Sequence, residues 1–301
     1  MPLFEVVHRT RYHYGRPVTF GEHRAMLRPR DSHDLRLHRI EIKVRPEGRI
    51  RWMQDVFSNS IALIEIMGAA TELVVESRLV LERFEDGSVQ EPPRGETIAT
   101  YPFTYPEAIR RDLGGTERRH YEDPKGDVAA WARQFEAGAP DSAALLDAMM
   151  RRIKAQFRYR ARYERGTQSP AETLALGSGT CRDFALLMME AARSLGFAAR
   201  FVTGYLYDPA VDGLASGIRG AGATHAWLQI FLPLSGWIEY DPTNGIVGGR
   251  NLIRVGVARD PSQAIPLAGS YNGAAEDALG MDVDVTVRAL GQGGIELLVD
   301  P

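Results

Sequence analysis

The chemistry-bearing residues of this chain fall in two segments. Residues 177–196, GSGTCRDFALLMMEAARSLG, hold its single cysteine, Cys181, just after a glycine-rich turn. Thr180 suits a helix N-cap, and Asp183, three residues on, suits its partner in a capping box. Phe184, Leu187, Met188, Ala191 and Leu195 follow at helical spacing, and Gly196 ends the run. Cys181 therefore falls in the first turn of a largely buried helix. Unpaired N–H groups and the helix dipole favour negative charge there. The thiolate is the reactive form of cysteine, and the same N–H groups can hold an oxyanion. The plain alternative is a buried, inert thiol. Such a residue belongs on the apolar stripe rather than after a glycine turn. Capping alone accounts for Asp183. Arg182 reads as solvent-facing or as the partner of a local carboxylate.

The second segment is a hairpin. Thr224-His225-Ala226-Trp227-Leu228-Gln229-Ile230-Phe231-Leu232 reads as a strand, Pro233-Leu234-Ser235-Gly236 turns the chain, and Trp237-Ile238-Glu239-Tyr240-Asp241 returns. Pairing centred on residue 233 sets His225 opposite Asp241 on one face. A two-residue loop at Leu234-Ser235 sends them to opposite faces unless a bulge intervenes. A working pair therefore requires an odd-length loop or a bulge. Cysteine attacks a carbonyl, histidine moves its proton, and a carboxylate fixes the histidine tautomer. Three such residues, each at a helix or strand terminus, are more specific than any one alone.

Composition narrows the alternatives. One cysteine in 301 residues forms no intramolecular disulfide and excludes metal sites that need several thiolates. Six of the seven histidines are scattered over the first 120 residues without ligand-like spacing, so neither metal nor cofactor is expected. A net charge of −3 gives no electrostatic footprint for nucleic acid. No signal peptide or membrane-length apolar run stands out, so a cytoplasmic protein without a membrane partner is the default expectation.

Leu35, Leu37, Ile40, Ile42 and Val44 alternate with polar residues. Residues 61–66 and 73–84 are further β-like runs, with turns at 45–48, 58–60 and 86–87. An N-terminal antiparallel β-sandwich follows for 1–105, ending in proline-rich stretches at 91–95 and 101–106. Asp123-Pro124, Asp141 and Ser169-Pro170-Ala171-Glu172 then start helices in a core region, 106–270. The Gly- and Ala-rich residues 213–223 suit a flexible lip. The alternating run 281–299 predicts C-terminal strands (271–301) that complete one of the two sheets.

The stretches 179–207 and 224–245 resemble the bacterial transglutaminase-like superfamily of papain-like cysteine enzymes. Leu27-Arg28-Pro29-Arg30, Asp55-Val56-Phe57-Ser58-Asn59 and 252–273 extend the resemblance over most of the chain. It implies an α+β fold: a β-sandwich, then a papain-like transglutaminase core with helices packed on an antiparallel sheet. It also implies Cys181 as nucleophile, His225 as general base and acid, and Asp241 as orienting carboxylate. Tyr159 is a candidate second oxyanion donor, with a core tyrosine as its plainer role. Two residues depart from the pattern: Gln229 stands where glutamate is expected, and Pro261 where tyrosine is expected.

These features point to a cysteine-dependent hydrolase, protease or amidase, or an acyltransferase, acting on amide bonds of peptide or protein substrates. Family members that retain an idle site make a non-enzymatic peptide-binding module the alternative.

Overall fold

This computed structural model describes residues 3–84, 100–162, 166–212, 222–249 and 251–290. The turn at 86–87, the proline-rich 91–95, residues 213–221 of the proposed lip and 291–299 of the terminal run lie outside them.

Apolar–polar alternation makes six N-terminal strands: β1 (Leu3–Phe20), β2 (His23–Arg28), β3 (Leu35–Arg45), β4 (Gly48–Gln54), β5 (Ser60–Ile66) and β6 (Ala69–Arg83). They divide between two antiparallel sheets, one containing β1, β6 and β3 in that order, the other β2, β5 and β4. The inward residues of both sheets, among them Phe4, Val6, Met26, Ile61, Leu79 and Leu81, share one core. Burying one face of each sheet against the other is what makes the sandwich stable.

Five α-helices follow among the described residues: α1 (Glu107–Leu113), α2 (Asp127–Arg133), α3 (Ser142–Gln156), α4 (Pro170–Leu176) and α5 (Cys181–Ser194). Between them run the short strands β7 (Arg158–Tyr159) and β8 (Ser178–Gly179), paired in parallel. Asp141 caps α3 by accepting from Ala144 N–H, and Ser169 and Glu172 close a capping box on α4. The start expected at Asp123-Pro124 lies further on. Residues 123–126 form a turn, and α2 begins at Asp127. The Asp123 carboxylate still reaches the N–H groups of Val128 and Ala129.

The second sheet system is β9 (Ala199–Leu206), β10 (His225–Leu232), β11 (Gly236–Asp241), β12 (Ile246–Val247) and β13 (Leu252–Ala258), ordered β12-β11-β10-β9-β13. Ala226, Leu228, Ile230 and Leu232 join the α5 side chains in the largest core, so α5 covers one face of this sheet. The chain then returns to the sandwich through β14 (Leu267–Ala268), β15 (Tyr271–Asn272) and β16 (Ala278–Leu290). β14 pairs with β2, while β15 and β16 pair with β1. No helix among the described residues is long and apolar enough to cross a membrane.

The sandwich is fastened to the β9–β13 sheet by a side-chain amide. Asn59 Nδ2 donates to Val257 O at 2.7 Å, and Val257 N–H donates to Asn59 Oδ1 at 2.9 Å. Asp55 shapes the turn by accepting from Phe57 and Asn59 N–H. Gly256 lets this approach happen, since a Cβ there would sit 2.1 Å from Met26 Sδ.

Candidate active site

Cys181 is the first residue of α5 and is 7% exposed. The expected capping box is present. Thr180 N–H and Oγ1 donate to Asp183 Oδ2 at 2.8 and 2.9 Å. Asp183 Oδ1 also accepts from Gln168 N–H at 2.8 Å, and Arg162 lies 3.4 Å from Oδ2. This fully buried carboxylate thus ties two loops to the helix start. Gly179 has no room for a side chain: a Cβ would lie 2.8 Å from Asp183 Cβ. Arg182 departs from its expected role. It donates to the Pro261 and Ala264 carbonyls and lies over the Phe201 ring. The β9 face beside α5 supplies an aromatic platform, which outweighs solvent for this stem.

His225 and Asp241 meet through the hairpin. Leu228 pairs with Tyr240 and Leu232 with Gly236, leaving the odd-length loop Pro233, Leu234 and Ser235. The centre is residue 234, one later than the directly opposed arrangement requires. Continuing that register puts Asp241 beside Trp227, one pleat from His225 on the same face. His225 Nε2 and Asp241 Oδ2 are 2.8 Å apart, and both side chains are sealed from solvent. Asp241 further accepts from Thr243 N–H at 2.9 Å and from Asn244 Nδ2 at 2.8 Å. Trp227 stacks on the imidazole at 5.9 Å between ring centroids.

The electrostatics follow from these contacts. Burial by itself would lower the His225 pKa, but Asp241 and then Cys181 outweigh it and raise it to about 10. Burial would raise the Asp241 pKa, but His225, Asn244 and Thr243 hold it below the ordinary carboxylate value. His225 Nδ1 is buried and has no hydrogen-bond partner among the described residues. Asp241 takes Nε2, and Cys181 is near enough to the ring to favour its protonated form. Tyr159 lies near the start of α5. It lies beside Gly179 in the β7–β8 pair, its ring stands edge-on to Phe184, and burial followed by Cys181 and Asp183 raises its pKa.

Asn244 and Trp227 carry no motif that singles them out as supports for the pair. Their signal is position only: Asn244 lies three residues after the aspartate and Trp227 two after the histidine. Gln229, the departure on the same strand, bridges Arg200 and Glu239 at 2.8 and 3.1 Å. Glu239 in turn accepts from Arg254. Pro261 presents its carbonyl to Arg182.

Comparisons with known proteins agree with this architecture. Residues 4–82 match the bacterial transglutaminase-like N-terminal region, and 129–242 match the transglutaminase-like superfamily core. An uncharacterized protein of Mycobacterium leprae is 29% identical over 93% of this chain and 97% of its own. One from Mycobacterium bovis is 28% identical over 94% and 92%. The crystal structure of a proposed cysteine protease from Cytophaga hutchinsonii superposes with a TM-score of 0.70 at 15% identity, covering 97% of this chain and 91% of that one. Its likeness is one of fold. The two matched regions, in this order, place residues 4–82 with the bacterial transglutaminase-like N-terminal region and residues 129–242 with the transglutaminase-like superfamily.

Proposed function

We propose that the protein is a cysteine hydrolase or acyltransferase acting on amide bonds of peptides or proteins, with Cys181 as nucleophile, His225 as acid and base, and Asp241 as orienting carboxylate. The observation that supports this is the sealed His225–Asp241 pair, with Cys181 near enough to the imidazole to raise its pKa. A carboxylate on Nε2 favours the imidazolium, and an imidazolium beside sulfur favours the thiolate. The thiolate attacks the amide carbonyl and forms a C–S bond. The oxygen gains negative charge near the Cys181 N–H, one of the helix-start groups without an intrahelical acceptor. Tyr159 O–H is the candidate second donor. Collapse of the adduct breaks the C–N bond, and His225 gives its proton to the departing amine. Water then takes the acyl group from the thioester for hydrolysis, or a lysine amine takes it for cross-linking.

The test is turnover of a peptide-amide library followed by mass spectrometry. Loss of all products in Cys181→Ala supports the proposal. Undiminished turnover in that variant overturns it. An idle binding cleft gives no turnover with either protein.

A further inference from the structure

The strands at the far side of the sandwich leave an open seam. β3 ends one sheet and β4 ends the other, and neither has a second strand partner among the described residues. Between them lies a groove of about 580 Å3 lined by Ile40, Ile42, Ile50, Trp52 and Arg28. Trp52 is 47% exposed and Met53 39%. The edge is also strongly basic: residues 35–54 hold six arginines and lysines against two glutamates, in a chain whose net charge is −3.

The opposite edge of the same sheet shows what chemistry closes such a site. There β16 pairs along β1, with Asp284 opposite Arg9 and Asp282 opposite Arg11. Asp282 Oδ2 also lies 2.8 Å from His13 Nε2. Val283, Val285 and Val287, alternating with the acids, pack into the sandwich core. On this edge the added strand sets its acids in register with basic residues on the outer face, one of them in contact with His13, and turns branched apolar residues inward; the guanidinium groups of Arg9 and Arg11 reach Glu76 and Glu72 of β6.

We propose that the β3 edge is a docking site for an extended segment of a partner protein, acidic on one face and β-branched on the other. The segment adds a strand beside β3 and seats its apolar residues over Ile40, Ile42 and Trp52. Charged residues also protect sheet edges from accidental pairing. Protection alone does not require an exposed tryptophan beside an apolar groove, and it predicts no saturable ligand.

The test uses the full chain and a fluorescein-labelled peptide of alternating aspartate and valine, about ten residues long. Saturable anisotropy that weakens with salt, with no binding of the lysine–valine counterpart, supports the proposal. Lys43→Glu combined with Arg45→Glu should weaken binding by about tenfold or more, with an unchanged circular dichroism spectrum. Blocking one backbone edge of the peptide by N-methylation should abolish binding, because strand addition uses main-chain hydrogen bonds. Equal binding of both peptides, or saturation by neither, overturns it. So does preferential binding of a single-stranded oligonucleotide, or self-association of the chain that Trp52→Glu removes.

Discussion

Glu190 and Arg193 form an ion pair of 2.7 Å on α5 with neither side chain exposed. Each holds other parts of the molecule in place. Glu190 accepts from His120 and Tyr121 N–H. Arg193 donates to the Thr116, Ala199 and Arg259 carbonyls. The pair anchors the far end of α5 to β9, to the end of β13 and to the segment before α2.

Glu190→Ala leaves a guanidinium buried without its carboxylate. Breaking such a pair costs about 3–5 kcal/mol. The expected outcome is a large drop in the urea midpoint with little change in slope. A shift within the error of the wild-type midpoint would show that Arg193 finds other compensation.

The His225–Asp241 pair makes stability and activity depend on pH in a defined direction. A raised histidine pKa contributes stability that is full below the unfolded value near 6.5 and is lost as pH climbs to about 10. The depressed Asp241 pKa contributes stability that is present above the unfolded value and is lost as pH falls through the folded one. The melting temperature of the wild type should therefore fall relative to Asp241→Asn as pH rises from about 6.5 toward 10. The alkaline limb of kcat/KM should lie well above 6.5 and move down in that variant, with a rate loss on the order of 10⁴ by analogy with the serine triad. An alkaline limb at an ordinary histidine pKa in the wild type contradicts the coupling.

Because Cys181 is the chain's one thiol, alkylation reports a single position. Iodoacetamide should modify it readily at pH 6–7, where His225 is held protonated. His225→Ala should slow that reaction several-fold at the same pH. Equal rates in both proteins would separate the imidazole from the thiol. The check is intact-mass spectrometry over time.

Gly179→Ala adds a methyl group where Asp183 Cβ and Gln168 Oε1 stand 2.8 and 3.0 Å away. Overpacking of this kind costs about 1–3 kcal/mol. The strain falls on the cap that starts α5, so turnover should fall while the fold persists. Measuring kcat beside thermal unfolding checks this. Wild-type kcat would mean that the loop absorbs the methyl group without moving the nucleophile.

Local chemistry was legible where it is decided by neighbours in sequence. The Thr180–Asp183 and Ser169–Glu172 boxes satisfy orphan helix N–H groups within a few residues, so residue type reveals them. The odd-length hairpin loop was legible as a parity condition, because side chains alternate with period two. Its centre was not, since packing against β9 and α5 chooses among registers of equal parity. Asp123 misled for a related reason. Gly126 at φ 72° lets a turn precede the helix, a choice the preceding proline does not reveal.

The sequence by itself determined the alternation that builds a sandwich, the helix that begins at Cys181 and the hairpin that carries His225 and Asp241. Each follows from short-range propensity, capping and periodicity. Only the tertiary structure decided that β16 closes the β1 edge, that Asn59 grips Val257, and that Arg182 turns to the Pro261 carbonyl instead of solvent. Those outcomes depend on distant segments competing for the same edges, donors and apolar faces. That competition is settled by the free energy of the whole packed chain and is not written in any local window.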